Sequence, residues 1–511
     1  MQELHTPSQI AQWLLQHVTG TLQSDSRKLA AGDGFIAWPG AAVDARQFVA
    51  DALLRGAGAC LVEQDGLAAM GLRDDKIASY RGLKRATGAI AAEFFGKPSE
   101  ELSVVAVTGT NGKTSTAWWL AQALSSLPGE RALPCGMIGT LGVGRPPASG
   151  SLQSSRGATV TPTGLTTPDP VQLQRTLRQF KDDGLKACAM EASSIGIEEH
   201  RMDGTRIQVA IFTNLTQDHL DYHGSMEAYW QSKRQLFAWP GLACAVINVD
   251  DAQGVVLAES LDSAALDVWT VSCQREARLR ARSLAYDAQG LRFEVVEGQD
   301  VQVLHSRVIG TYNVSNLLGV LAAMRGLGVP LQAAVQACGN LHPVPGRMEC
   351  LGEPGEPLVA VDYAHTPDAL RQALAALRPL ADQRRGRLWC VFGCGGDRDA
   401  SKRPLMGAVA CQKADWVVVT SDNPRGEKPE AIIAHILLGL SQCKTVDVQP
   451  DRAQAIAGAI ARAAANDVVL IAGKGHEATQ EVAGVKHPFF DQDHARRALR
   501  NRGPHGSEVC P

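Results

Sequence analysis

Lys113 and Thr114 follow two glycines, Gly109 and Gly112, in the run VVAVTGTNGKTST at 104–116. This spacing suits polyphosphate. The apolar, β-branched residues 104–108 predict a buried parallel strand, and 115–125 predicts a helix directly after the loop. Gly109 and Gly112 let the backbone turn tightly enough to aim N–H groups inward. Loop amides, a helix N-terminus and the Lys113 ammonium then converge on one spot, with the Thr114 hydroxyl placed for an accompanying Mg²⁺. The strict P-loop pattern has four residues between its glycines, and here Thr110 and Asn111 alone separate them. A plain Gly-rich turn is the alternative. The adjacent Lys-Thr pair between strand and helix favours nucleotide binding.

Other polar clusters stand where apolar runs end. Glu191 closes the run 185–192, where a carboxylate is either a Mg²⁺ ligand or a structural acid at a sheet edge. The stretch TNLTQDHLDYHG at 213–224 holds Asn214, Asp218, His219, Asp221 and His223. Taken alone it reads as a hydrolytic metal site. Beside a P-loop, one histidine serves ATP-Mg²⁺ and the others build the loop. Lys233 follows on a predicted helix, and as a lone lysine it reads as a solvated residue. GCGGDRD at 393–399 lacks the GxGxxG spacing, which argues against nicotinamide binding. DNPR at 422–425 and GKGHE at 473–477 also leave the ends of predicted strands, although DNPR could be a simple Asn-Pro turn.

The elements that must position these groups alternate along the chain. Strands are predicted at 34–40, 58–63, 185–192, 209–215, 243–249, 357–365, 387–393, 415–422 and 467–473. Helices are predicted at 44–54, 226–237, 311–328, 367–377, 401–412, 429–441 and 452–465. Strand-helix alternation implies an α/β protein with parallel sheets covered on both faces, binding ligands at the strands' carboxyl ends. The 511 residues exceed one hydrophobic core and suggest about three domains.

The formal charge of −3 gives no global field favouring nucleic acid or anionic membrane. No apolar run nears a membrane span of roughly 18 residues, and the polar N-terminal stretch is not a signal peptide. The twelve cysteines lack CxxC pairing and read as reduced, mostly buried residues of a cytoplasmic protein. The tail from Arg500 is expected to fray.

Taken in order, GTNGKTS, TTPDP, MEASS, TNLTQDHLDYHG with Lys233, NVSN, PGRME, DYAHTPD, GCGGDRD, DNPR and GKGHE resemble the Mur ligase family over nearly the whole chain. That family adds amino acids to a peptidoglycan precursor. The resemblance implies three domains: 1–100 for the UDP substrate, a central P-loop ATPase at 101–342, and a Rossmann-like amino-acid-binding domain at 343–511. It implies ATP, Mg²⁺, UDP-N-acetylmuramoyl-L-alanyl-D-glutamate and meso-diaminopimelate as ligands, joined through an acyl phosphate, with no nucleic acid and no membrane insertion. Gly109, Thr110, Asn111, Gly112, Lys113, Thr114 and Ser115 correspond to the ATP-phosphate loop. Asn316 and Arg347 correspond to residues around the nucleotide, and Asp362 to a ribose contact. Thr114, Glu191, His219 and a carbamylated Lys233 correspond to metal ligands, and Lys113, Lys233, His219 and Glu191 to the catalytic set. Ser26, Thr166, Thr167, Ser193, Glu199 and Arg201 match residues that hold the UDP-muramoyl-dipeptide. Arg398, Asp422, Asn423, Pro424, Arg425, Gly473 and Glu477 match the diaminopimelate site.

Three residues depart from the family pattern. Ile195 stands where histidine often follows the Ser-Ser pair, Leu165 where asparagine is common, and Glu199 where glutamine is frequent. All three touch the peptide strip, and none removes a phosphate or metal ligand. Three other readings compete. Folylpolyglutamate synthase begins nearly at its ATPase domain, which the first hundred residues oppose. A P-loop ATPase without ligase activity leaves DNPR and GKGHE without a role. A metal-dependent hydrolase makes the P-loop superfluous.

Overall fold

The structure, a computed structural model, describes residues 1–40, 43–147, 160–287 and 290–502. Three sheets follow one another along the chain. The first is parallel, in the spatial order Gln2–Glu3, Ile77–Tyr80, Ala59–Glu63, Gly34–Ala37, Leu22–Gln23. The second is centred on the strand Ser103–Thr108, flanked in parallel by Ala187–Glu191 and Val209–Phe212. The third carries Leu358–Asp362, Val468–Ala472, Leu388–Phe392 and Trp416–Val419 as parallel neighbours. The loops that begin after 108, 191, 212, 362, 392, 419 and 472 all leave carboxyl ends of these strands. They are therefore gathered at strand ends as the parallel topology requires.

The helix Lys113–Ser125 begins two residues earlier than the sequence predicts. Gly112 adopts the left-handed conformation and caps it, so Lys113 and Thr114 belong to the first helical turn. From Thr114 to Leu124 every residue is buried, because the helix Tyr312–Gly326 covers the face that the sheet does not. The predicted helices 44–54, 226–237 and 429–441 each divide into an α-helix and a 3-10 turn.

The central sheet is larger than the parallel core expected. Leu279–Asp287, Gly290–Glu297 and Asp300–Ser306 add an antiparallel meander to it. A hairpin of Thr479–Val482 and Val485–Pro488 stands beside the third sheet. No described helix is long and apolar enough to cross a membrane. The described cysteines are free thiols, and burial pushes several of them up, Cys135 and Cys390 among them. The expected fraying concerns residues that lie mostly outside the described range, since the helix Asp491–Asn501 is formed.

Candidate functional site

Both loop glycines are required by contact. A Cβ on Gly109 would lie 1.9 Å from Thr213 Oγ1, and one on Gly112 would lie 2.3 Å from Asn316 Oδ1. The loop is laced to the 213–216 segment. Thr110 N and Asn111 N donate to Asn214 O and Oδ1, both at 2.9 Å, and Thr213 Oγ1 donates to Asn111 O at 2.6 Å. These two amides are thus not the inward donors expected from the sequence. The amides left for a ligand are those of the helix's first turn, which an α-helix leaves without internal partners. Lys113 curls back to donate from Nζ to Gly109 O at 2.8 Å and Thr110 O at 2.9 Å.

Glu191 is wholly buried at the next strand end. Its Oε2 accepts from Thr114 Oγ1 at 3.0 Å and Thr140 Oγ1 at 3.1 Å, and Oε1 accepts from Thr140 N at 2.8 Å. Among the described residues no lysine or arginine forms an ion pair with it. A buried carboxylate so placed, with hydroxyls beside it, suits a hard cation. No described group of three His, Cys, Asp or Glu residues could cage a metal alone. Mg²⁺ fits that pattern, since it commonly takes one or two carboxylates together with phosphate and water oxygens.

The peptide-strip residues form one network with Glu191. Thr166 Oγ1 lies 3.0 Å from Thr140 Oγ1, and Thr167 Oγ1 donates to Glu191 O at 2.8 Å. Ser193 N donates to Thr167 Oγ1 at 3.1 Å, and Arg201 Nη1 donates to Thr167 O at 3.1 Å. Glu199 instead meets Lys84 at 2.5 Å and Tyr222 OH at 2.9 Å, which ties the first sheet's helix Leu83–Phe94 to the central unit. Lys84 holds its carboxyl below the usual range. Leu165 is 42% exposed, so its departure disturbs no packing. Ser26 begins the turn Ser26–Lys28, and two residues before it Ser24 Oγ donates to Asp169 Oδ1 at 3.0 Å, which ties this turn to the Thr166–Thr167 segment.

The histidines separate clearly. His219, at φ +53°, sits beside Asp218 with Nε2 3.5 Å from Oδ2, and both line the cavity. Burial lowers the His219 pKa, and Lys113 and Lys233 add to this against the pull of Asp218. The imidazole is therefore neutral at pH 7, as a metal ligand must be. His223 is held elsewhere, 3.0 Å from Ser194 Oγ and 3.3 Å from Glu198 Oε2.

Lys233 is not the solvated lysine that its isolation in the sequence suggests. It is 1% exposed, its Nζ donates to Gly109 O at 2.9 Å, and it lies 4.3 Å from the centre of the Tyr229 ring. Burial, reinforced by Lys113, drives its pKa well below the ordinary lysine value.

The third sheet closes the far wall. Arg347 stacks 4.3 Å from the Tyr363 ring centre, and its Nη2 donates to Thr114 Oγ1 at 3.2 Å. Its buried Nε has no hydrogen-bond partner among the described residues, which leaves a donor for a ligand. Asp362 accepts from Met348 N at 2.8 Å, and burial raises its pKa. Together the loop, Thr166, Glu191, Ser193, His219, Lys233, Asn316, Arg347 and Asp362 line one cavity of about 700 Å³ between the second and third sheets.

A second cluster forms where the loops after Trp416–Val419 and Val468–Ala472 meet. Asn423 Nδ2 donates to Glu477 Oε2 at 2.7 Å. A Cβ on Gly473 would strike Asp422 Oδ2 at 2.3 Å. Asp422 is buried, which raises its pKa against the opposing charges of Arg452 and Lys474. DNPR is more than a turn. Arg425 lies at φ +51°, its N donates to Glu481 O at 3.0 Å and its O accepts from Ala483 N at 2.7 Å, so the hairpin pins it. Its Nη1 donates to Gly396 O at 2.8 Å. Pro424 is buried, and its carbonyl would clash with a side chain at position 396. Arg398 reaches across to Asp221 at 4.0 Å. Lys474 lies inside GKGHE but is not singled out by it, and Glu481 lies beyond it in the hairpin, where no motif marks it.

The glycine loop, its three α/β units and the facing third sheet define a three-domain P-loop protein. Residues 107–324 match the Mur ligase middle domain, and 346–475 match the Mur ligase glutamate ligase domain. The UDP-N-acetylmuramoyl-L-alanyl-D-glutamate--2,6-diaminopimelate ligase of Acidovorax sp. (strain JS42) is 61% identical over 510 residues, covering 98% of this chain and 99% of its own. The enzyme of the same name from Janthinobacterium sp. (strain Marseille) is 46% identical, covering 98% of each chain. A solved structure with that name superposes with a TM-score of 0.64 at 36% identity, covering 94% of each chain. The chain belongs to the Mur ligase family.

Proposed function

We propose that this chain is an ATP-dependent ligase that joins meso-diaminopimelate to the D-glutamate γ-carboxylate of UDP-N-acetylmuramoyl-L-alanyl-D-glutamate. The observation that carries the proposal is one cavity uniting a phosphate loop, a buried carboxylate and an arginine from the third sheet. Full-length relatives of that name support the substrate assignment.

The chemistry follows from charge. A carboxylate is a poor electrophile, and an anionic phosphate chain repels it. Lys113 and the first-turn amides neutralise that repulsion and orient the γ-phosphoryl group. Mg²⁺, when bound, would add Lewis-acid neutralisation of the phosphates, held by Thr114, Glu191, His219 and Lys233 as its carbamate. The γ-carboxylate takes the phosphoryl group to give an acyl phosphate and ADP. The neutral amine of diaminopimelate attacks the acyl carbon, the C–O bond to phosphate breaks as the C–N bond forms, and one amine proton leaves with the phosphate as hydrogen phosphate. Asn316, Arg347 and Asp362 hold the nucleotide. Ser26, Thr166, Thr167, Ser193, Glu199 and Arg201 hold the UDP-muramoyl-dipeptide. Arg398, Asp422, Asn423, Pro424, Arg425, Gly473 and Glu477 hold diaminopimelate.

Burial of Lys233 beside Lys113 favours its free amine, which can attack CO₂ and release one proton to give the carbamate. That reverses the charge beside the metal position. The domains run 1–100, 101–342 and 343–511, with the reaction in the cytoplasm. Steady-state ADP formation with each substrate omitted in turn tests the proposal. Turnover that needs all three supports it, and turnover on ATP alone overturns it.

A further inference from the structure

Three pieces of the second cluster meet on one side chain. Lys474 is wholly buried. Its Nζ donates to Asn423 Oδ1 at 3.1 Å, Glu477 Oε2 at 3.1 Å and Thr479 O at 2.6 Å. An ammonium has three donors, and all three are used.

These bonds decide how neighbouring groups point. Asn423 Oδ1 also accepts from Glu481 N at 3.0 Å, so two donors hold that end of the amide. Its Nδ2 is left to face Glu477. Glu477 in turn spends Oε2 on Lys474 and Asn423, while Oε1 carries no hydrogen bond among the described residues. The third bond, to Thr479 O, secures the start of the hairpin whose Glu481 and Ala483 backbone groups fix Arg425.

A satisfied core cation is the plainer reading of Lys474. Buried charge is costly to stability, and an apolar side chain of similar length often replaces it without loss. What distinguishes Lys474 is that every partner belongs to a loop or hairpin presenting the second cluster. We propose that Lys474 is the positioning residue of the amino-acid site. It fixes the Asn423 amide and the Glu477 carboxylate so that Oε1 faces the substrate ammonium, and it anchors the hairpin behind Arg425. This rests on the ligase reading given above.

The experiment compares the full-length wild type with Lys474→Met, Asn423→Ala and the double variant, using ATP, UDP-N-acetylmuramoyl-L-alanyl-D-glutamate and meso-diaminopimelate. Lys474→Met is expected to raise KM for diaminopimelate by about tenfold to a hundredfold, as loss of an orienting partner does. KM for ATP should stay within about threefold, since that cavity is untouched. Adding Lys474→Met to Asn423→Ala should cost less than the product of the two single losses, because part of the Lys474 effect runs through the Asn423 amide. Losses that multiply, or an unchanged KM for diaminopimelate, overturn the proposal. If Lys474→Met does not fold, Lys474→Gln is read by the same criteria. A wild type without diaminopimelate-dependent turnover overturns the ligase reading itself, whereas a working wild type with indifferent variants overturns the role of Lys474 alone.

Discussion

Lys113 and Lys233 donate to the same carbonyl oxygen, Gly109 O, at 2.8 and 2.9 Å. Two ammonium groups sharing one acceptor repel each other, and burial lowers the pKa of both lysines. Unit charges about 4 Å apart interact by roughly 4 kcal/mol at an effective dielectric of 20. The arrangement therefore favours one cation and one neutral amine. For Lys113, burial lowers the pKa while Glu191 and Asp218 oppose that shift, so two carboxylates favour its charged form. For Lys233, burial and the Lys113 charge both favour the neutral amine, the form that carbamylation requires.

Lys113→Ala should abolish ADP formation and leave the thermal midpoint nearly unchanged, because its ammonium serves the loop and not the core. Turnover within about tenfold of wild type would remove Lys113 from phosphate neutralisation.

Lys233→Ala should be nearly inactive and regain part of its activity with short carboxylic acids, which can supply the missing anion. In the wild type, ¹³C-enriched CO₂ should give a carbamate resonance that the variant lacks. Near-normal activity in Lys233→Ala would rule out the carbamate.

Arg425→Ala should erase the preference for meso-diaminopimelate over L-lysine. The two amino acids differ by a distal carboxylate, which a guanidinium fork binds through two parallel bonds. Sites built around such a group reject analogues lacking it by roughly 10⁴-fold. Comparable wild-type kcat/KM values for the two amino acids would contradict this role.

Arg452 and Asp491 form a fully buried ion pair at 2.6 Å, and the guanidinium also donates to Ser421 O and Ala472 O at the bases of the 422–425 and 473–477 loops. Asp491→Ala should lower stability by about 3–5 kcal/mol, since it strands a buried charge. The double change Arg452→Met with Asp491→Leu should cost much less. Denaturant unfolding distinguishes these outcomes, and equal losses would refute the buried-pair account.

His476 has a pKa pushed down to about 3 by burial, with Arg347, His365 and Lys474 adding to it. The unfolded chain takes up that proton near the ordinary value of 6.5, so stability falls as pH drops from there toward 3. One such group contributes at most about 1.4 kcal/mol per pH unit. His476→Asn should flatten this limb of the stability profile, and an unaltered limb would show that the acid sensitivity arises elsewhere.

Much of this was legible from local pattern. The β-branched runs 104–108 and 209–212 mark buried parallel strands, and the polar clusters after them had to lie at strand ends. Burial of single residues was not legible. Lys233 looks like a surface lysine because nothing nearby in sequence reveals that Gly109, 124 positions away, will receive it, and Lys474 meets Asn423 across 51 positions. Arg452 and Asp491 are 39 positions apart and pair only once the last helix docks. The antiparallel meander escaped because its strands lie on the outer edge of a sheet whose parallel centre dominates the pattern. The hairpin escaped because it is short and largely exposed.

The central claim, that one cavity couples ATP use to amide formation, is tested most directly by measuring ADP release from the full chain with Mg²⁺. ATP, UDP-N-acetylmuramoyl-L-alanyl-D-glutamate and meso-diaminopimelate would be supplied together and with each omitted in turn. The account predicts sustained ADP release only with all three, matched by equal amounts of the diaminopimelate-bearing product. Sustained release without the amino acid or without the UDP substrate would contradict it.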